Sequence, residues 1–517
     1  MSVNPPFHPI SNLSEDILLH IFKLNADMLS DADALDTTRI TSQVCHSWRH
    51  LMLSTSSLWA RLIDMDCISY PWSAEWRHEL IRRSGDAPLW IHASRSSQAM
   101  NISEFFDTIE KNWHRIQLLL VSGHPSVDFT RLPLGIPAPQ LESFEVIFGR
   151  SIGGEIDAEA GPARLFGGHA PKLRNLNISN YKIVDQHEPW LGHLFSLALN
   201  GAYSGGDLLE ILSEAQNIHE LQISSNVNGN TPSSCPTVFL PHLEFLQFDG
   251  SPLPCAVLMN HANIPQGCVL YLSIDGPDAA DEEALISVVS AFTHHTQRFL
   301  QSNVLHTVDL QCYLPNGFIS FDGQSTMAEV DYSHGISFPL LGDNLNGSQH
   351  LTMILGKLAL LDFSSTTTFK FNAECPLNLS FGPFFSRFPL LDTICLDTTS
   401  LEYLMLIQDK MNATNEPRIM FPRLKVIKFS IISSRYCGCQ TEEQVSTAVK
   451  FILSRVQCGH PIALLDMRKK VPLDSHPDLD ALAEVNGLEV LYTRSLEESI
   501  SEHTWSACGT KEFTDSN

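Results

Sequence analysis

The sequence predicts an α/β protein: a small N-terminal three-helix unit followed by an irregular solenoid with parallel strands on its concave face. Three observations carry this expectation. A phrase Pro-x-Leu-x-x-Φ-x-Φ, with Φ apolar, recurs five times. Its alternating tail is the pattern of a short strand with one buried face. Between copies lie stretches of helical periodicity, and the fourth positions 176, 197, 221 and 246 lie 21, 24 and 25 residues apart. A period in that range builds stacked repeats whose neighbours bury one another.

The composition leaves room for a large core. Of 517 residues, 43% are hydrophobic and 18% charged, a globular balance rather than a disordered one. The 33 basic and 58 acidic side chains give a net charge of −25. With no basic cluster, binding to nucleic acid or to an anionic membrane is not expected. The longest apolar stretch, Met353 to Phe363, is broken by Lys357 and Asp362, so no membrane span is expected. Residues 1–22 contain no Lys or Arg, the opposite of a secretory signal, and the 12 scattered cysteines suit a reducing compartment, cytoplasm or nucleus.

The first element is a helix opened by Ser14-Glu15-Asp16, a hydroxyl cap followed by acids at the positive end of the dipole. Ile17, Leu18, Ile21 and Phe22 read as one apolar stripe. After a polar insert, Asp27 to Asp36, a second helix carries Val44, Cys45, Trp48 and Leu51, and a third short element holds Leu58, Trp59 and Leu62. Three helices over about fifty residues are too small for a self-sufficient core. Their surplus apolar surface awaits a partner.

In order and spacing, Leu13-Ser14-Glu15-Asp16-Ile17-Leu18-Leu19-His20-Ile21-Phe22, Val44-Cys45-His46-Ser47-Trp48-Arg49 and Ser57-Leu58-Trp59 resemble an F-box of the fungal, mushroom-type style, with Leu13-Ser14 in place of the usual Leu-Pro start. The resemblance covers residues 10–63. It implies docking on a Skp-type adaptor, and through it on a cullin, with Leu13, Ile17, Leu18, Ile21, Phe22, Val44, Cys45, Trp48, Leu58 and Trp59 facing the adaptor. Residues 1–9 read as a tail and 64–112 as a connecting helix and strand.

The repeats occupy 113–496. Full copies of the phrase begin at Pro139, Pro171, Pro241, Pro389 and Pro422, and weaker ones are Leu194/Leu197/Leu199, Ile218/Leu221/Ile223, Leu305/Val308/Leu310 and Leu488/Leu491. They resemble degenerate leucine-rich repeats; the expected Asn after the strand appears only as Asn226. Intervening helices are expected at Asp207–Ala215, at Asp281–Leu300 with Leu285, Val288, Val289 and Phe292 on one side, and after a capping box at Thr441–Gln444, leading Val445, Val449, Ile452 and Val456. Loops are expected around 275–281 and 317–348, and residues 497–517 read as a fraying polar tail. A compact α/β sheet is the alternative architecture. On the open face, Glu145, Asn177, Ala198, Gln222, Gln247, Asp309, Cys395 and Lys428 form a polar, mildly acidic row suited to a protein target.

No chemistry-bearing motif stands out. Cys437-Gly438-Cys439 with Cys458-Gly459-His460 lacks a standard zinc spacing, so no metal and no cofactor are expected. His294-His295 reads as a solvated or half-buried pair, and Gly149–Gly154 and Gly205-Gly206 read as turns without a phosphate-loop ending. No catalytic residue is assigned. The expected function is a non-enzymatic substrate-recognition subunit of an SCF-type ubiquitin ligase. The alternative is a repeat scaffold whose F-box-like helices form its N-terminal cap.

Overall fold

The computed structural model describes residues 10–507 other than 11–12, 66–72, 94–101, 123–130, 148–163, 180, 184–186, 227–234, 276–281, 314–317, 325–332, 340–345, 374–381, 414–418, 430–440, 469–478, 484 and 497–498. It is a mixed α/β protein whose strands are mostly parallel. Internal contacts divide it into two compact units, residues 1–225 with 234–243 and residues 226–233 with 244–517.

The recurring phrase has a direct conformational cause. In each full copy the Leu N–H bonds back to the carbonyl preceding the proline: Leu141 to Ala138, Leu173 to Ala170, Leu243 to Leu240, Leu391 to Phe388 and Leu424 to Phe421, at 3.0–3.4 Å. Proline, with φ preset, occupies the second position of each turn. The turn buries its leucine and delivers the chain alongside the previous strand, as when Arg174 N–H reaches Glu142 O at 2.8 Å.

The first unit opens with four helices rather than three: α1 (Glu15–Asn25), α2 (Ala34–Thr41), α3 (His46–Ser54) and α4 (Ser56–Trp59). The additional helix is α2, which starts within the expected polar insert at 27–36; the expected second and third elements are α3 and α4, separated at Thr55, whose hydroxyl donates to Leu51 O at 2.8 Å. The sheet begins at once. Strand β1 (Ile63–Asp64) pairs in parallel with β2 (Leu89–Ala93), and helices α5 (Ser73–Ser84) and α6 (Ile102–Asn112) flank β2 in sequence. The described residues of 64–112 thus form helices α5 and α6 and strand β2. Parallel pairing then runs through β3 (Ile116–Ser122), β4 (Ser143–Ile147), β5 (Asn175–Ser179), β6 (Ser196–Asn200) and β7 (Glu220–Ser225). Helix α7 (Gly205–Glu214) lies between the last two in sequence and buries Leu208, Leu209, Ile211 and Leu212. Gly205 and Gly206, expected in a turn, are its first residues, capped by Ser204 and Asp207 in reciprocal hydrogen bonds. A two-residue strand, β8 (Val238–Phe239), completes the unit.

In the second unit β9 (Phe245–Gly250) is followed by α8 (Pro252–His261), β10 (Ala262–Asn263), β11 (Val269–Ile274), α9 (Glu282–Phe299) and β12 (Thr307–Tyr313). Strand β11 pairs with β9 and with β14 (His334–Pro339), and β14 continues antiparallel to β13 (Phe318–Gln324), which pairs antiparallel with β12. A strictly parallel progression is broken here. Much of the expected loop at 317–348 is these two strands and the start of α10 (Asn346–Leu358). Parallel pairing resumes from β12 through β15 (Thr368–Ala373), β16 (Thr393–Leu396), β17 (Val426–Phe429), β18 (Leu464–Asp466) and β19 (Glu489–Leu496). Helices α8 and α9, then α10, α11 (Gly382–Phe385), α12 (Thr398–Asn412) and α13 (Thr441–Gln457), pack in chain order, each against the next. Between helices and strands lies a phenylalanine-rich core in which Phe363 and Phe388 stack at 4.9 Å.

Three further expectations are corrected. In α13 the buried face holds Val445, Ala448, Phe451, Ile452 and Arg455, while Val456 is exposed. The guanidinium of Arg455 is tolerated because it donates to the carbonyls of Met420 and Phe421 at 2.7 and 2.9 Å. In β19 the core positions are Val490 and Tyr492, which puts Leu491 on the opposite face. The supposed C-terminal tail contributes β20 (Ser499–Ser506), paired antiparallel with β19 so that Trp505 sits opposite Val490. Backbone pairing needs no apolar run, so a polar alternating segment can close a sheet edge. Among the described residues no helix is long and apolar enough to cross a membrane.

Candidate interaction surfaces

The N-terminal helices split the expected adaptor-facing residues into two groups. Leu18, Phe22, Leu58 and Trp59 are buried with Met52, Leu62 and Leu80 in one cluster, against which Leu13 and Trp48 pack. The Trp48 ring meets Phe22 edge-on at 5.1 Å. Trp59 donates Nε1–H to Met52 O at 2.8 Å, and Arg83 lies 4.5 Å over its indole. These four buried side chains hold the unit together and offer no surface; six of the ten expected residues stay at least partly accessible. Ile17, Ile21, Val44 and Cys45 are exposed, with Val44 at 60%. The Cys45 sulfur also caps α3, accepting from Trp48 N–H at 3.4 Å.

The exposed apolar group extends beyond the expected residues. Leu24 (65% exposed), Ile40 (60%) and Leu53 are also open. The signal was present: Ile17, Ile21 and Leu24 lie at i, i+4 and i+7, a stripe distinct from Leu18/Phe22. Merging the two stripes hid it. A helix apolar on two faces buries one and leaves the other for a second contact.

The expected open-face row exists as ladder lines within each unit. In the first, Asp64, His92, Leu120, Glu145, Asn177, Ala198 and Gln222 are successive cross-strand partners. Ala198 is nearly buried there. In the second, Gln247 is opposite Tyr271, Tyr271 opposite Gly335, Gly335 opposite Asp322 and Asp322 opposite Asp309. The line continues from Asp309 through Lys370, Cys395 and Lys428 to Asp466. This row carries two lysines and three aspartates, more charge of both signs than the sequence reading assigned, because the partners Asp322, Lys370 and Asp466 lie outside the recurring phrase.

Electrostatics along this row follow its burial. Desolvation holds the Asp309 and Asp322 carboxyls above the ordinary range. Burial also pushes the Cys395 thiol up, against the pull of Lys428 and Lys370. Burial would likewise raise Asp466, but hydrogen bonds from Arg468, at 3.0 and 2.9 Å, bring it below its usual value. A thiol with a raised pKa between lysines is a poor nucleophile. The row offers charge and hydrogen bonding to a partner.

Of the remaining candidates, Cys437, Cys439 and Gly149–Gly154 lie outside the described residues. His460 pairs its Nδ1 with Pro422 O at 2.9 Å. The His294-His295 pair is divided: His294 is exposed, while His295 is buried with Nε2 2.9 Å from Cys268 O. A comparison with protein-family models finds no match, and no curated protein matches the chain.

Proposed function

We propose that the chain is a substrate-recognition subunit of an SCF-type ubiquitin ligase, with the N-terminal helices as an F-box and the remainder as a degenerate leucine-rich-repeat solenoid. The observation that carries this reading is the second apolar stripe of α1: Ile17, Ile21 and Leu24 stay exposed, as does Val44, although the helices already have a core of their own. An apolar surface of this kind is stabilised by a partner that covers it. A Skp-type adaptor, linked to a cullin, is that partner. The ladder rows of the open face take the target protein, with Glu145, Asn177, Gln222, Gln247, Asp309 and Lys428 among its contacts. The chain acts by proximity rather than by chemistry, raising the local concentration of target near the ubiquitin donor in the cytoplasm or nucleus.

The test uses exposed residues only. Ile21→Asp with Val44→Asp in the full-length chain is expected to abolish co-purification with a Skp-type adaptor, with the thermal midpoint unchanged. Undiminished co-purification of a folded double variant refutes the reading. One observation favours the cap alternative: Trp90 N–H bonds to Ala60 O at 2.9 Å and β1 pairs with β2, so the helices lead into the sheet without a break. Hydrogen exchange separates the two, because only docking adds protection to α1 and the 40–45 segment when adaptor is supplied.

A further inference from the structure

The N-terminal rim of the strands in the first unit carries a column of rings. Phe195 and His219 stack at 4.4 Å with their planes 19° apart, and His219 and His242 stack at 5.7 Å and 15°. The column is built by the repeat itself. His219 N–H bonds to Phe195 O at 2.8 Å and Phe195 N–H to Arg174 O at 2.7 Å, so these positions are neighbours just ahead of consecutive strands. Phe195 is 42% exposed, an unusual position for a large ring with no core role. Among the described residues no ring or cation covers its other face. Beside it a cavity of about 520 Å³ is lined by Arg174, His193, Phe195, Asn217 and His219, among others.

Arg174 completes the arrangement. Its guanidinium donates once, from Nη1 to His193 O at 2.8 Å, and has no acidic partner among the described residues. A guanidinium has five N–H donors, so most of its capacity faces the cavity and solvent. In a chain of net charge −25 an unpaired arginine beside an open ring is a local exception.

We infer that this rim binds a peptide segment that places an aromatic side chain next to a carboxylate, the ring extending the Phe195–His219–His242 column and the carboxylate pairing with Arg174. The cavity volume falls within the range of single-ligand sites. Charge separates this occupant from a nucleic acid. A polyanion meets the repulsion of the whole chain, whereas one carboxylate responds mainly to groups within a Debye length of about 8 Å. The inference goes beyond the target-binding role proposed for the open-face rows, because the rim is a different surface, and it is independent of the adaptor.

The probes are N-acetyl-Glu-Tyr-amide, N-acetyl-Gln-Tyr-amide and N-acetyl-Glu-Leu-amide, titrated against the full-length chain by ligand-observed NMR. Glu-Tyr is expected to bind, and loss of either the charge or the ring is expected to weaken binding about tenfold. Arg174→Gln should erase the preference for Glu-Tyr over Gln-Tyr, and Phe195→Ala the preference for Glu-Tyr over Glu-Leu. Both side chains are exposed, so unchanged thermal midpoints will certify the fold of each variant. Failure of Glu-Tyr to bind at about 10 mM overturns the inference. So do variants that keep both preferences, and equal or tighter binding of oligothymidylate or of free phenylacetate.

Discussion

His334 is fully buried, and its two ring nitrogens have separate, assigned roles. Thr296 donates its hydroxyl to Phe292 O at 2.8 Å, so it can only accept from His334 Nε2–H at 2.9 Å. Nδ1 then accepts Leu270 N–H at 3.2 Å. A proton on Nδ1 would set N–H against N–H. Burial, with a smaller contribution from His295, holds the imidazole down to about 3. The unfolded chain takes up that proton near 6.5, so between 6.5 and about 3 the unfolded state binds more protons. This contribution to stability is full above the unfolded value and falls as pH drops through that window, by up to about 1.4 kcal/mol per pH unit. His334→Gln, which keeps one acceptor and one donor, is expected to lower the urea midpoint at pH 7 and to flatten its decline between pH 6 and pH 4. An unchanged decline would assign the acid sensitivity to other groups.

Among the elements, the proline turn and its leucine make contributions of different origin. Pro171 is exposed and acts by restricting the unfolded chain, so Pro171→Ala is expected to cost about 0.5–1 kcal/mol. Leu173 is fully buried, and Leu173→Ala is expected to cost about 2–5 kcal/mol through lost burial and the cavity left behind. Chemical denaturation of the two variants should rank them in that order, and equal losses would contradict the division. This phrase was legible in the sequence because a four-residue turn and a strand of four to six residues are local objects. Helix α9 was legible for the same reason: Leu285, Val288, Val289 and Phe292, read as one side, are all buried. The apolar face of α1 was legible only in part. Ile17 and Leu18 are adjacent and equally apolar, and nothing local says which of the two turns inward.

For the whole molecule, the division into two compact units has a measurable consequence. Trp59→Ala removes a buried ring and its hydrogen bond to Met52, a loss of about 3–5 kcal/mol. Hydrogen exchange is expected to quicken in α1–α5, β1 and β2 and to stay unchanged in α12, α13 and β15–β18. Uniform quickening across both units would show that they unfold as one. By itself the sequence determined the repeating turn, the strand positions that follow it and the amphipathic helices between them, because each is set by interactions within a few residues. Only the tertiary structure decided that Leu18 and Phe22 point inward while Ile17 and Ile21 do not. Tertiary structure also decided that β13 and β14 enter between β11 and β12, and that a polar C-terminal segment pairs as β20. These outcomes depend on which distant backbone supplies the hydrogen bonds and which distant side chain fills the space, and neither is encoded in the spacing of near neighbours.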